Sequence, residues 1–341
     1  GKTLLGHHIK YILEQHRKIN PSFKFAITAY TGSSASILSG TTIHSTFGIP
    51  LYFQPEDQEA FLQSFSVTSP KAIRLRLIKF ILIDEVSFVG KRMLQLVDCI
   101  LKKVSFVDKD KPFANKSIIM MGDIWQLGPV GDFELYTKPL IDSPQHLAAF
   151  NLYHSFENVF ALKNSYRQGG NDESSAKHRQ LLERLKRGGC QKDDIDFLST
   201  RIKNKLSEDE IRLFRNSLHI FPTNSQVRAH NLSVLKSTYA PDEIIVIENG
   251  DEILQIAVGA SVILQKNLNI EWGLVNSARG TIKKVHYKED VAYCIVVDFP
   301  NYTGNMQEME TFGGVPIFKT FTNTYCRDTN RFIWVNKFPI G

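Results

Sequence analysis

Apolar positions recur at helical spacing through residues 4–18 (LLGHHIKYILEQHRK), which predicts a helix opening directly behind Gly1-Lys2-Thr3 and ended by Pro21. The next apolar run, Phe23 to Tyr30 (FKFAITAY), is short and reads as a buried strand. Residues 31–48 (TGSSASILSGTTIHSTFG) are small and hydroxylated and suit loops and short helices close to a ligand. After an irregular, then helical and basic stretch at 50–79, a short apolar strand, Phe80-Ile81-Leu82-Ile83, ends in Asp84-Glu85. A helix from Lys91 to Lys103 follows, and a second strand, Ser117 to Met121, ends in Gly122-Asp123. Strands that alternate with helices and end in polar residues predict an open parallel sheet with its ligand at the carboxyl edge.

The pattern changes near residues 160–175. A charged helical stretch over roughly 173–215 leads to an expected strand at Leu218 to Pro222 (LHIFP). From about residue 243 the chain becomes strand-rich, with turns at Asn249-Gly250 and Gly313-Gly314. The sequence has no internal repeat of fixed period and no low-complexity tract.

Composition narrows the classes. A chain of 341 residues accommodates two ordinary domains, and 43% hydrophobic with 22% charged residues is globular composition rather than disordered or fibrous. The net charge of +6 leans toward a polyanionic partner. Cys99, Cys190, Cys294 and Cys326 lie far apart with no C-x-x-C pair, as reduced thiols of an intracellular protein do. No apolar run approaches the ~20 residues a bilayer-crossing helix needs, so no membrane partner is expected.

Three short elements carry chemistry. Gly1-Lys2-Thr3 ahead of a helix matches the end of the phosphate loop G-x-x-x-x-G-K-S/T, in which backbone N–H groups cradle phosphates. The lysine there neutralises the β- and γ-phosphates and the hydroxyl binds Mg²⁺. Asp84-Glu85 at a strand end can hold Mg²⁺ with the first carboxylate and activate water with the second. In Ser117 to Val130 (SIIMMGDIWQLGPV), the Asp123 carboxylate and the Gln126 amide can sense a γ-phosphate and polarise water. Thr31, Ser33, Ser34, Thr41, Thr42 and Ser45 offer hydroxyls, and small neighbours such as Gly32 offer backbone N–H groups. Such donors suit the phosphates of a flexible strand, while His44 and Phe47 could stack on its bases. The basic run Lys71 to Lys79 reads as a solvated helix face.

Taken in order, these blocks resemble the petite-integration-frequency (PIF-type) branch of the RecD-like superfamily-one DNA helicases. Gly1-Lys2-Thr3 resembles the end of its motif I, Thr28 to Ile49 its motif Ia and adjoining segment, and Asp84-Glu85-Val86-Ser87 its motif II. Gly122 to Leu127 resembles motif III and Ser165-Tyr166-Arg167-Gln168 motif IV. Phe221-Pro222-Thr223-Asn224 and Asn267 to Gly280 (NLNIEWGLVNSARG) match two later blocks.

The resemblance implies an α/β fold of two RecA-like parallel-sheet P-loop domains with ATP and Mg²⁺ between them. The first spans 1–165, with a small accessory segment at about 50–79. The second spans 166–341, is incomplete, and carries a β-rich insertion at about 283–335. It implies that Gly1, Lys2, Thr3, Asp84 and Asp123 bind nucleotide, with Thr3 and Asp84 on the metal. Glu85 is then the catalytic base, Gln126 couples the γ-phosphate to DNA, and Arg167 is an arginine finger. Thr31, Gly32, Ser33, His44, Ser45, Phe47, Asn224 and Asn276 are implied to contact DNA. The implied partners are single-stranded DNA and duplex DNA junctions, engaged by a monomer with 5′-to-3′ polarity, in the nucleus or the mitochondrion.

Two positions depart from the family pattern. Gly128 replaces a proline, which loosens a turn without removing a chemical group. Ser277 replaces the glycine after Asn276, and carries backbone strain if that position needs positive φ. The front of the phosphate loop and the family's last motifs fall outside the 341 residues, so the chain alone is expected to be a poor ATPase. Two rivals remain: a non-catalytic single-strand-binding remnant of a truncated or transposon-derived helicase, and a phosphate-loop NTPase with no nucleic-acid role.

Overall fold

The computed structural model describes residues 1–50, 57–138, 143–162, 170, 172–214, 217–250, 252–326 and 331–341. Its first helix, α1 (Lys2–Ile19), begins at Lys2, and Gly6 on its inner face packs tightly on Leu38 and Met121. Strand β1 (Lys24–Ala29) is followed by helix α2 (Gly32–Ile37), strand β2 (Thr41–Thr42) and helix α3 (Ile43–Phe47). Helices α4 (Gln58–Ser64) and α5 (Pro70–Leu77) lead into β3 (Ile78–Asp84), α6 (Lys91–Val104), β4 (Ser117–Met120) and α7 (Pro144–His154).

The first four strands form one sheet in the order β2-β1-β3-β4, paired parallel throughout. The residues on β3 explain why it is central: Ile81, Leu82 and Ile83 are fully buried, as a strand covered on both faces requires. Thr28 is the buried polar exception on β1, and its hydroxyl donates to the Leu82 carbonyl at 3.1 Å. Register places Ala29 opposite Asp84 and Ile83 opposite Met120, so β1, β3 and β4 all terminate at one edge.

Cα packing divides the chain into two units: Lys2–Phe160 together with Leu235–Gly341, and Ala161–Val234 together with Gly1. The smaller unit carries α8 (Glu173–Lys186), α9 (Lys192–Ser199), α10 (Glu208–Leu213) and most of α11 (Asn224–Thr238). Its helix pair is clamped where the Arg184 guanidinium grips the Asp194 carboxylate, Nε to Oδ2 at 2.8 Å. The Arg184 hydrogen bonds and the Gln191 N–H hold Asp194 down to about 2. The strand expected at Leu218 to Pro222 does not form. Among the described residues this unit contains no strand to complete a ladder, so the segment stays irregular, with Leu218 and Ile220 exposed.

The strand-rich region matches its pattern. A hairpin, β5 (Ile245–Asn249) with β6 (Glu252–Ile256), turns at Asn249-Gly250. The buried Asn249 side chain also takes the Phe338 N–H at 2.5 Å and donates to the Phe338 carbonyl at 3.3 Å. Strands β7 (Ser261–Ile263), β8 (Arg279–Lys288), β9 (Val291–Asp298) and β10 (Val315–Phe318) form an antiparallel sheet in the order β10-β9-β8-β7. Helix α12 (Met306–Phe312) precedes β10, and a last hairpin pairs β11 (Thr320–Cys326) with β12 (Arg331–Lys337). Among the described residues, parallel pairing is confined to β1–β4, and every ladder after residue 240 is antiparallel. No helix among the described residues is long and apolar enough to cross a membrane.

Candidate nucleotide and nucleic-acid sites

The acidic pair sits where β3 runs out. Asp84 is the last residue of the strand, and its Oδ1 accepts the Glu85 N–H at 2.9 Å. Glu85 adopts φ 54°, the left-handed region that costs a residue with a Cβ, and opens the 3-10 turn Val86–Phe88. Glu85 Oε2 is buried and has no hydrogen-bond partner. A buried carboxylate oxygen without a donor is expensive, so this one is suited to a water or a hydrated cation.

The neighbouring strand locks this turn. Met121 N–H donates to the Ile83 carbonyl and Val86 N–H to the Met121 carbonyl, both at 2.8 Å. Beyond it, Asp123 Oδ1 accepts the Trp125 N–H at 3.1 Å and the Asp123 carbonyl accepts the Gln126 N–H at 3.0 Å. Asp123 Oδ2 lies 4.0 Å from Lys2 Nζ, which joins the start of α1 to the end of β4. Thr3 is half-buried one residue on, in a first helical turn that has unpaired N–H groups to offer. Lys2, Thr3, Asp84, Glu85 and Asp123 therefore belong to elements that meet at one sheet edge, while Gln126 is exposed just beyond. Gly1 is exposed, and Arg167 lies outside the described residues. Thr3 and Asp84 are the donors that fit Mg²⁺, a hard cation that takes one or two protein oxygens and fills its shell with phosphate and water.

The loop after Gln126 is anchored by a residue the sequence did not single out. Asp132 accepts from the Arg92 N–H at 3.0 Å and from Arg92 Nε at 3.3 Å, capping α6 where Gly90 has no side chain to do so. Only its position, forty residues from the helix it caps, hid it.

The hydroxyl-rich segment is more self-satisfied than its composition suggests. Thr31 caps α2 by accepting the Ser34 N–H at 3.2 Å, and Thr42 caps α3 by accepting the Ser45 N–H at 3.1 Å. Ser33 is half-buried and Ser45 exposed. Phe47 is 0% exposed in the core beneath α3, so it cannot stack on a base in this conformation. The Thr42 cap sets the helical phase, and Ile43 and Phe47, four residues apart, then share the inward face. His44 stays half-buried, edge-on to Tyr30 at 5.4 Å, and burial pushes its pKa below the ordinary value. Tyr30 in turn stacks on Phe88 at 5.8 Å, three residues past Glu85.

Asn276 lies beside this segment. Its N–H donates to Asn267 Oδ1 at 2.8 Å, and the same Asn267 amide lies against Gly32, where a Cβ would sit 2.2 Å from Oδ1. Gly32 is thus a point of close approach between the two stretches. Asn224 is the exposed first residue of α11, in the smaller unit.

Ser277 has φ 71°, so the position does use the left-handed conformation that a glycine there would favour. Ser277→Gly should raise stability by about 0.5–1 kcal/mol, relief of the Cβ strain outweighing the greater freedom of the unfolded chain. The urea midpoint checks it; an unchanged or lower midpoint refutes it.

Comparisons with known proteins agree with one another. The family model described as PIF1-like helicase matches residues 1–195. The ATP-dependent DNA helicase Pif1 of Psychrobacter sp. is 27% identical over 305 residues, which are 83% of this chain and 42% of that protein. The chain thus spans about two fifths of the length of the curated relatives it matches. Among solved structures, Pif1 helicase from Candida albicans superposes with TM-score 0.69 at 20% identity, covering all of this chain and 77% of the other. Pif1 helicase from Bacteroides in complex with ADP-AlF3 and single-stranded DNA gives 0.62 at 22%, covering all of this chain and 75% of the other. At those identities the structural likeness carries the fold, an α/β core of RecA-like type with added antiparallel sheets.

Proposed function

The chain belongs to the PIF1-like helicase family, and we propose that it forms most of the motor of an ATP-dependent DNA helicase. The observation that carries this reading is the sheet edge where Lys2 reaches toward Asp123 and a buried Glu85 oxygen lacks a partner. In this reading Lys2 and the first N–H groups of α1 hold the phosphates of ATP, with Thr3 and Asp84 on Mg²⁺. A cation held there would supply charge to neutralise the phosphates. Glu85 takes the proton of the attacking water, Gln126 reports the γ-phosphate to the DNA-binding surface, and Arg167 supplies transition-state charge. The division at 165/166 belongs to the same proposal.

Single-stranded DNA would lie along Thr31, Gly32, Ser33, His44, Ser45 and Asn276; Asn224 is proposed as a DNA contact of the smaller unit by itself. Repeated turnover would then tighten and relax that grip, move the motor 5′ to 3′ along the strand and open duplex junctions, as a monomer working in the nucleus or the mitochondrion. Phe47 is withdrawn from the contact set because it is core.

Nucleotide binding tests the site on the 341 residues themselves. Titration with a fluorescent ATP analogue and Mg²⁺ should show saturable binding that Lys2→Ala weakens by about tenfold or more, the loss of one charge-assisted phosphate contact. Equal affinity in the two proteins would refute the assignment. Binding of single strands with no response to ATP would favour the non-catalytic remnant instead.

A further inference from the structure

Between α2 and the loops around Asn276 and Asn301 lies an open groove of about 500 Å³, within the ~300–1,000 Å³ of small-ligand sites. Ser33 and Ser36 offer it hydroxyls, and Ile37 and Phe299 offer apolar walls. Arg279 and Glu271 both line it. These opposite charges do not pair with each other or with any other charged group among the described residues. Two opposite charges that share a groove and leave each other alone are placed to meet different parts of one ligand. The groove is also built rather than incidental. Gly273 passes so close to the Asn301 carbonyl that a Cβ would sit 2.6 Å from it, and the Thr303 hydroxyl donates to the Glu271 carbonyl at 3.0 Å. The strained Ser277 lies on its lining, and backbone strain of this kind concentrates at ligand sites.

We propose that this groove receives one unstacked nucleotide of the bound strand, with its phosphate on Arg279 and its base edge on the Glu271 carboxylate. The inference rests on the single-strand reading above and adds a base preference to it. A guanidinium pairs with a phosphate through parallel N–H···O bonds. A carboxylate only accepts, so it favours bases that present an exocyclic amino group: cytosine N4 is the recognised partner of an acidic side chain, and thymine has no such donor. Apolar walls take the base face, which every base has, so the groove tolerates sequence while it ranks bases.

The test is fluorescence anisotropy on the 341-residue protein with labelled dC15 and dT15 at several salt concentrations. The wild type should bind dC15 about threefold or more tighter than dT15, and Glu271→Gln should bring that ratio close to one without abolishing binding. Arg279→Gln should weaken both oligonucleotides about three- to tenfold and lower the salt slope by roughly 0.7, one single-strand phosphate contact. Arg279→Lys, which keeps the charge, should keep the slope and serves as the folded control. An unchanged dC15:dT15 ratio in Glu271→Gln, or unchanged affinity and slope in Arg279→Gln, overturns the groove while leaving the single-strand reading in place. Failure of the wild type to bind either oligonucleotide removes both.

Discussion

Glu85→Gln should lower single-strand-stimulated ATP turnover of the whole protein by about 10²–10⁴-fold, the range a positioned general base contributes, while ATP affinity holds or rises. The substitution keeps size and shape but leaves an amide that cannot take a proton from water. Its effect on the fold should be small, because Glu85 Oε2 makes no hydrogen bond that the amide would break. The backbone cost of φ 54° is shared by both residues and cancels. Removing a negative charge next to bound phosphates can only ease their binding. Turnover and nucleotide titration on the same preparation read the two quantities apart. A variant that keeps wild-type turnover would remove Glu85 from the base role; one that loses affinity in proportion would make it a binding residue instead.

The sheet edge that carries these residues could be anticipated because each of its parts is local. A helix behind Gly-Lys-Thr, an acidic pair behind four apolar residues and Gly-Asp behind another apolar run are readable in windows of a few residues. Parallel pairing then carries them to one edge, since strands that run in the same direction present their carboxyl ends on the same side. The positive φ at Ser277 was legible for a similar reason: a glycine in the family pattern marks a backbone requirement that survives replacement of the residue.

What escaped depends on partners distant in sequence. Leu218 to Pro222 has strand composition, but composition supplies no neighbouring strand, and β propensity measures fit to a sheet rather than a property of the segment alone. Phe47 looked like a base-stacking ring because it follows hydroxyl residues. Its burial is decided by the helical phase that the Thr42 cap imposes. Asp132 and Asn267 act on backbone N–H groups of Arg92 and Asn276, and nothing in their own windows announces it. The groove of Arg279 and Glu271 combines loops with α2, so it exists only after folding.

Gly122→Ala should be the most damaging small substitution near the site, for a reason that is geometric rather than chemical. A Cβ on Gly122 would lie 2.7 Å from the Val86 backbone nitrogen and 2.8 Å from Val86 Cγ1. Neither neighbour can yield alone, since Val86 N–H is bonded to the Met121 carbonyl at 2.8 Å and the Val86 side chain is packed in the core. The turn that begins at Glu85 must therefore move. Overpacking of this kind costs about 1–3 kcal/mol of stability. A shift on the order of 1 Å in the base relative to its water costs about 10²-fold in turnover. Gly128→Ala is the matched control, because the nearest atom to its added methyl is the end of the flexible Glu134 side chain at 3.2 Å. The expected result is a lowered urea midpoint and a turnover loss for Gly122→Ala measured well below its unfolding transition, with Gly128→Ala close to wild type in both. If Gly122→Ala loses stability but turns ATP over normally, the acid pair does not need the position the turn gives it, and the sheet edge is not where the chemistry is set.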